Sequence, residues 1–216
     1  FDAKIARTAH RPIPSGAISL PQATFFMLLL SLIGFTILLQ FNPFAILVGT
    51  ASLALVAIYP FMKRITYWPQ FVLGLTFNWG ALLGWAAVKG DLQLPPIILY
   101  LAGIFWTLGY DTIYAHQDKE DDLKVGVKSS ALKLSDRTRP WLFVFYILTI
   151  LLITWAGYFS GLSWPFYIAV VLSAGQLFWQ AGDVDIDDPD DCLNKFKSNR
   201  LFCWILLAGI ILGQIA

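Results

Sequence analysis

Residues 94–117 read LPPIILYLAGIFWTLGYDTIYAHQ, an apolar run with one carboxylate, Asp111, inside it. A helix needs about 20 apolar residues to cross a hydrocarbon core about 30 Å thick. Further runs of this kind lie near residues 21–40, 43–62, 68–88, 141–159, 162–182 and 200–216. Only helices and closed barrels satisfy the backbone in lipid, and these runs lack the alternation of barrel strands. The sequence therefore predicts an all-α integral membrane bundle with seven transmembrane helices.

The composition of the 216-residue chain is that of a membrane protein. Hydrophobic residues make up 57% and charged residues 13%, whereas soluble domains carry about 25% charged residues. The formal net charge is +1, so nothing favours nucleic-acid binding, which needs a strongly basic surface. The same figures exclude disorder and a disulfide scaffold, and Cys192 and Cys203 are expected to be free thiols. The length suits one domain, which we assign to residues 1–216.

The basic residues follow the alternation of the loops. Every Lys and Arg except Lys89 lies before the first run, just after the second, or in the polar segments 118–139 and 183–200. Positively charged loops stay on the cytoplasmic side of a membrane, which corresponds to the matrix side in mitochondria. We therefore predict an integral protein of the bacterial cytoplasmic membrane or the mitochondrial inner membrane. Its charged loops and active site are expected on the cytoplasmic or matrix face.

The stretch YDTIYAHQDKEDDLKVGVKSSALK, residues 110–133, carries the strongest indication of chemistry. Asp118 and Asp122 are one helical turn apart and can share a cation if the helix of the fourth run continues past residue 117. Asp111 lies two turns deeper, about 10 Å away by the helical rise, where a carboxylate is costly unless it is paired or functional. Carboxylates that converge on substrate phosphates are typical of Mg²⁺ sites. The alternative is a solvated helix end.

Three other polar segments carry weaker indications. The segment FDAKIARTAHRPIPSG at the start of the chain combines Asp2 with Arg7 and Arg11. A juxtamembrane segment that binds anionic lipid headgroups is an equal alternative there. YPFMKR (59–64) ends the second run with two cations, which suit a helix C-terminus. GDVDIDDPDD (182–191) departs from a calcium loop at its sixth and twelfth positions, so we interpret it as a solvated loop.

Four segments together resemble one known family. They are RTAHRPIPSG (7–16), YPFMKRITYWPQFVLGLTFNWG (59–80), residues 110–133 and CLNKFKSN (192–199). Over essentially its whole length the chain resembles the UbiA superfamily of membrane prenyltransferases. The resemblance implies a bundle of nine transmembrane helices around a central cavity, of which the first two are missing here. It also implies that Asp2 is the last member of an N-D-x-x-D-x-x-x-D motif, whose other members would precede Phe1.

The resemblance also implies an activity and a set of site residues. It is strongest to the branch that transfers a polyprenyl group from a polyprenyl diphosphate to 4-hydroxybenzoate, ortho to its hydroxyl, in ubiquinone biosynthesis. The implied cofactor is Mg²⁺, with the metal ligands Asp2, Asp118 and Asp122. The implied catalytic residues are Asp111, Asp118, Asp122 and Arg64. Arg64 is expected to hold the benzoate carboxylate, because its planar fork fits that group bidentately. The implied substrate-binding residues are Arg7, Arg11, Tyr59, Lys63, Asn78, Tyr114, Lys119 and Lys128.

The expected partners are these two substrates and membrane lipid, without nucleic acid and without an obligate protein partner. One alternative is the same fold acting on another acceptor, such as a naphthoate, haem, chlorophyllide or glycerol phosphate. The other is a transporter with intramembrane acids along a cation path. Transporters often contain inverted repeats, and the 110–133 pattern has no second copy in the sequence. Because one side of the metal site would be reduced to Asp2, we expect residues 1–216 alone to lack prenyltransferase activity.

Overall fold

The computed structural model describes residues 10–216, which form eleven α-helices and no β-strand within that range. The helices in chain order are α1 (Leu20–Leu38), α2 (Pro43–Ile58), α3 (Met62–Ile65), α4 (Pro69–Phe77), α5 (Gly80–Lys89), α6 (Leu94–Ala115), α7 (Lys119–Val125), α8 (Ser130–Leu134), α9 (Thr138–Phe159), α10 (Trp164–Asp183) and α11 (Pro189–Ile215). Short 3-10 turns join α2 to α3, α6 to α7 and α8 to α9; these are Tyr59–Phe61, His116–Asp118 and Ser135–Arg137. The predicted all-α architecture is confirmed.

Most of the predicted spans are present as membrane-crossing helices. Six segments of the described chain are long and apolar enough to cross a membrane: Leu20–Leu38, Pro43–Ile65, Pro69–Lys89, Leu94–Val125, Ser130–Phe159 and Pro189–Ile215. The seventh predicted span, 162–182, corresponds to α10, which has the length but is less apolar. Its polar side chains include Ser173 and Gln180, and both are buried inside the bundle. The protein is therefore an integral membrane protein, and residues 10–216 contain six such spans, or seven with α10.

Polar caps and prolines set the helix starts. Ser19 and Gln22 form a reciprocal capping box at the start of α1. The Asn42 side chain caps α2 by accepting a hydrogen bond from the Ala45 amide at 2.9 Å. Proline at the first or second position of a helix removes no intrahelical hydrogen bond, and α1, α2, α4, α6, α10 and α11 all begin this way. These sequence signals explain why the starts were predictable.

The predicted helix 68–88 is divided in two. It breaks between α4 and α5, where Asn78 has a non-helical backbone. The Asn78 amide donates to the Gly74 carbonyl at 2.8 Å and to the Thr107 hydroxyl at 2.9 Å. The Trp79 indole donates to the Val48 carbonyl at 2.9 Å. These bonds satisfy polar groups of the break inside the membrane-spanning region, where an unpaired group costs several kcal/mol.

Helix α6 lies at the centre of the bundle and packs against α4, α5, α9 and α11. Small residues allow the closest of these contacts. A Cβ on Gly74 would lie 3.1 Å from the Ile104 Cα, so α4 and α6 approach backbone to backbone. Gly109 of α6 lies against the ring of Tyr146 on α9, which is fully buried. The position of α6 matters for function, because the 110–133 motif begins at its end.

The segments that carry most of the charged residues lie at one end of the bundle, as the distribution of Lys and Arg in the sequence predicted. At one end the Lys128 amide donates to the Lys63 carbonyl at 2.8 Å, and Arg139 Nη2 donates to the Val184 carbonyl at 2.9 Å. These bonds bring three of the charged segments together. At the other end Asn42 Nδ2 donates to the Ala86 carbonyl at 2.8 Å. We call the first end the charged end of the bundle.

Candidate active site

The end of α6 and the start of α7 direct two carboxylates into the bundle. The helix does not run on unbroken past residue 117, because the 3-10 turn His116–Asp118 lies between α6 and α7. Asp118 is nevertheless 8% exposed and Asp122 is 0% exposed. The Asp121 side chain is 30% exposed, and its carboxylate pairs with Lys124 Nζ at 3.3 Å. Asp118 and Asp122, the pair predicted one helical turn apart, are the two buried carboxylates of this segment.

The α3 turn brings a cation to the buried carboxylate. Lys63 Nζ lies 4.0 Å from Asp122 Oδ1. The same turn is bonded to the chain that follows α7, since the Lys128 amide donates to the Lys63 carbonyl and Lys128 Nζ donates to the Ile65 carbonyl at 3.1 Å. Lys128 Nζ also lies 5.4 Å from the centre of the Tyr67 ring. The segments 59–64 and 110–133, which are far apart in sequence, thus form one site.

Hydrogen bonds between buried polar side chains hold α4, α6 and α8 in place next to the two carboxylates. Gln70 of α4 is 2% exposed and accepts a hydrogen bond from the Ser130 amide at 3.1 Å. The Ser130 and Thr112 hydroxyls are 2.6 Å apart and hydrogen-bonded. Buried polar groups of this kind are costly unless paired, and a fully paired network holds its members in one geometry. α4, α6 and α8 are therefore locked together beneath the carboxylates.

A cavity of about 1270 Å³ opens beside the α3 turn. Its lining carries three cations, Arg11, Lys63 and Arg64, together with apolar side chains of α1, including Phe26 and Leu30. A guanidinium binds carboxylate or phosphate oxygens in a planar fork, and an ammonium binds them as a point charge. The cavity therefore suits a molecule with an anionic head and a long apolar tail.

An aromatic column follows α6 away from the carboxylates. Trp106, Tyr110 and Tyr114 are four residues apart, and α11 contributes Phe196 and Phe202. The Tyr114 and Phe196 ring centres are 4.4 Å apart, those of Tyr110 and Phe196 5.7 Å, and those of Trp106 and Tyr110 4.8 Å. Trp106 also contacts Phe202 at 5.0 Å. We call these five residues the aromatic column.

The remaining predicted site residues have different positions. Asp111 is half-buried on α6 and lies within electrostatic range of the Tyr59 hydroxyl. Lys119 is half-buried in the first turn of α7. Asn78 is not at the charged end: it lines a second cavity of about 340 Å³ with Gly103 and Trp106. The predicted residues Asp2 and Arg7 lie outside the described residues.

Two carboxylates in the described chain suit a hard divalent cation. Asp118 and Asp122 are both buried near the charged end and supply oxygen ligands, which Mg²⁺ prefers. Residues 10–216 contain no group of three or more His, Cys, Asp or Glu side chains placed to hold a metal. The donor chemistry of the pair therefore fits Mg²⁺, which usually takes only one or two protein carboxylates and completes its shell with water and substrate phosphates.

Comparison with known proteins shows which family the chain belongs to. The model of the UbiA prenyltransferase family matches residues 1–206. The chain belongs to the UbiA prenyltransferase family. It is 51% identical over 216 residues to the mitochondrial 4-hydroxybenzoate polyprenyltransferase of Caenorhabditis elegans, covering 100% of this chain and 61% of that protein. The protein of the same name from Homo sapiens is 46% identical, with 100% of this chain and 58% of that protein covered.

Solved structures of UbiA relatives support the fold. The apo structure of a UbiA homolog from Aeropyrum pernix K1 matches with a TM-score of 0.81 and 25% identity, covering 98% of this chain and 79% of that one. A digeranylgeranylglyceryl phosphate synthase structure matches with a TM-score of 0.71 and 20% identity, over 96% of this chain and 75% of that chain. The resemblance stated from the motifs is therefore confirmed, and this UbiA chain spans about three-fifths of the curated relatives described above.

Several residues of the candidate site were not predicted from the sequence. Gln70 and Ser130 are ordinary polar residues whose contact depends on how α4 and α8 meet. Phe196 could be assigned to the aromatic column only once the rotation of α11 about its axis was known. Trp106 and Tyr110 did leave a signal, because they are four residues apart from each other and from the predicted Tyr114, and residues four apart lie on one face of a helix.

Proposed function

We propose that this UbiA protein transfers a polyprenyl group from a polyprenyl diphosphate to the ring of 4-hydroxybenzoate, ortho to the hydroxyl, in ubiquinone biosynthesis. The observation that carries the proposal is the cavity of about 1270 Å³, whose lining combines three cations with apolar side chains of α1. Relatives 46% and 51% identical carry the name of this activity. Their mitochondrial designation supports the mitochondrial inner membrane, with the charged end on the matrix side.

The cavity suits both ends of a polyprenyl diphosphate. Arg11 and Lys63 supply positive charge to the diphosphate, and Phe26, Met27 and Leu30 supply an apolar surface to the tail. Arg64 lies in the same wall and is our choice for the carboxylate of 4-hydroxybenzoate, because a guanidinium fork matches a carboxylate bidentately. Both substrates therefore meet at the charged end, with the reacting carbons between their anionic groups.

The transfer breaks one bond and forms another. The bond between the allylic carbon and the diphosphate oxygen breaks, and both electrons leave with the diphosphate. The ring carbon ortho to the hydroxyl supplies the electrons for the new carbon–carbon bond and then releases its proton. Asp111, half-buried on α6 about two helical turns before Asp118, is our choice for the carboxylate that accepts this proton. The ring faces of Tyr59 and Tyr114 can stabilise positive charge on the allylic carbon.

Magnesium fits this reaction as the proposed cofactor. Asp118 and Asp122 would hold it in the described chain, and Asp2 belongs to the proposed partner motif. When bound, Mg²⁺ neutralises the diphosphate and makes it a better leaving group. Asp122 also holds Lys63 at 4.0 Å, so the carboxylate and the cation of the α3 turn are already positioned when substrate arrives.

The proposal is tested with the full-length protein in membranes. Radiolabelled 4-hydroxybenzoate and a polyprenyl diphosphate are supplied with Mg²⁺, and the extracted lipid is analysed for a prenylated benzoate. We expect a labelled product that disappears in the Asp118→Asn variant and persists in the Asp121→Asn variant. Incorporation of label into a naphthoate or glycerol phosphate acceptor, with none into 4-hydroxybenzoate, would overturn the choice of acceptor. Absence of any prenyl transfer with all of these acceptors would overturn the enzyme class.

A further inference from the structure

A buried polar network crosses the interface between α10 and α11. Gln180 of α10 accepts a hydrogen bond from the Tyr146 hydroxyl at 2.8 Å, and its amide donates to the Ser198 hydroxyl at 2.8 Å. Gln176 donates to the same hydroxyl at 3.0 Å. Next to Ser198, the Asn199 amide donates to the Phe196 carbonyl at 3.0 Å. Four of these residues, Tyr146, Gln176, Gln180 and Asn199, are at most 9% exposed.

A lysine anchors this network at the charged end. Lys195 is 5% exposed and its ammonium donates to Asp183 at 2.7 Å and to Asp191 at 3.0 Å. The Ser198 hydroxyl donates to the Lys195 carbonyl at 2.7 Å. Asp183 ends α10 and Asp191 lies in the first turn of α11, so Lys195 joins the two helices at their corner. Most of the segment 182–191 is exposed, as expected of a solvated loop, and its Asp183 and Asp191 also hold Lys195 away from the cavity beside α3.

The network ends on the aromatic column. Asn199 Oδ1 accepts a hydrogen bond at 2.9 Å from the indole nitrogen of Trp106 on α6. Trp106 in turn packs on Tyr110 and Phe202, and it lines the cavity of about 340 Å³ with Asn78. The hydrogen bond between Asn199 and Trp106 thus links the α10–α11 corner to α6. Without the Asn199 oxygen, the indole N–H of Trp106 would have no acceptor in an apolar region. The ring would then favour a different position.

We propose that Asn199 is a positioning residue that holds Trp106, and through it the aromatic column, so that the Tyr114 end of the column, just below the carboxylates, meets the allylic part of the polyprenyl chain. This inference rests on the proposed prenyl transfer. The column begins at Tyr114, just below the carboxylates, and ends at Trp106 beside an apolar cavity. Ring faces of this kind pack well against the flat, electron-rich units of an isoprenoid and attract positive charge that develops at its first carbon. Asn199 touches neither substrate itself.

The test compares three variants of the full-length protein. Asn199→Leu removes the acceptor at similar size, and Trp106→Phe keeps an aromatic ring but removes the donor. A lost hydrogen bond of about 1 kcal/mol corresponds to about a fivefold change. We therefore expect each variant to raise the KM for geranylgeranyl diphosphate about fivefold and to leave the KM for 4-hydroxybenzoate unchanged. The double variant should resemble the stronger single variant, because both substitutions remove the same bond.

A second measurement does not depend on turnover. Geranylgeranyl diphosphate added without acceptor should raise the melting temperature of the wild type more than that of either variant, because a ligand that binds more tightly stabilises the folded protein more at the same concentration. Ser163→Ala is the matched control, since it removes a hydrogen bond between α10 and α11 at the opposite end, from Ser163 to the Gly213 carbonyl at 3.0 Å. It should leave both KM values and the ligand shift unchanged.

The outcomes separate the inference from the proposed function. Equal changes in the two KM values, or fully additive effects in the double variant, would overturn the positioning role of Asn199. A fall in melting temperature with both KM values unchanged would also overturn it. If Asn199→Leu does not accumulate, Trp106→Phe decides the question alone, with an unchanged KM for the diphosphate counting against the inference. Absence of transfer in the wild type would instead refute the proposed function.

Discussion

Asp122 is the residue at which the proposed chemistry can be tested most sharply. Its carboxylate is 0% exposed and lies 4.0 Å from Lys63 Nζ, whose side chain is 44% exposed. The next residue back, Asp121, has a side chain 30% exposed and pairs with Lys124, whose side chain is 70% exposed. Asp122→Asn and Asp121→Asn therefore remove the same charge from neighbouring positions, one inside the site and one outside it.

The expected magnitudes follow from these positions. Two unit charges 4 Å apart interact by about 4 kcal/mol at an effective dielectric constant of 20. Screening at the half-exposed Lys63 lowers this, so we take about 2–4 kcal/mol for the action of Asp122 on one cation. At 1.36 kcal/mol for each factor of ten, Asp122→Asn should slow prenyl transfer by about 30- to 900-fold. An exposed ion pair such as that of Asp121 contributes about 0.2–1 kcal/mol, so Asp121→Asn should cost at most about fivefold.

The assay is the initial rate of prenyl transfer to 4-hydroxybenzoate in membranes, at saturating concentrations of both substrates and of Mg²⁺. Rates are divided by the amount of folded protein, measured on the same membranes by immunoblot and limited proteolysis. Activity of Asp122→Asn within tenfold of the wild type would refute the assignment of this carboxylate to the metal. Equal losses in the two variants would refute the argument from burial, because only Asp122 faces the site.

Three further predictions concern other parts of the molecule. Arg64→Lys should raise the KM for 4-hydroxybenzoate more than that for the diphosphate, since Lys lacks the bidentate fork; an effect on the diphosphate alone would move Arg64 to the leaving group. Chelation with EDTA should abolish transfer and added Mg²⁺ should restore it, whereas activity that survives chelation would exclude the metal. Gly109→Ala should lower stability by about 1–3 kcal/mol, because its Cβ would clash with the buried Tyr146 ring. A melting temperature equal to that of the wild type would contradict this packing.

The fold was predictable where hydropathy and helix-start signals agree. Runs such as 43–62 and 94–117 correspond closely to α2 and α6, because lipid requires a continuous apolar helix. α11 was predicted to start near residue 200 but begins at Pro189. Its first turns contain Lys195 and Asn199, which are polar and yet buried against α10. A hydropathy pattern places such polar residues outside the membrane, because it does not show that residues of another helix pair with them.

The site was predictable only in part. The spacing of Asp118 and Asp122 gave their shared direction, since residues four apart lie on one helical face. The 3-10 turn between α6 and α7 was not predicted, because no residue of the motif indicates it. The pairing of Lys63 with Asp122 depended on a contact between segments about 60 residues apart, and such a contact is fixed by the packing of α4 and α6. Local sequence patterns carry no information on contacts between residues so far apart in the chain.

The polar face of α10 constrains how the chain enters a membrane during synthesis. An insertion machinery that reads segments one at a time would accept the apolar α9 but would meet Ser173, Gln176 and Gln180 in α10 without partners, at a cost for each polar side chain. Two of these side chains bond to Ser198, which is made only after the following turn. The last two helices are therefore expected to enter together as a hairpin, with their polar groups already bonded to each other. Stop codons between residues 184 and 198 should accordingly leave α10 outside the bilayer, on the side where α9 ends, opposite the charged end.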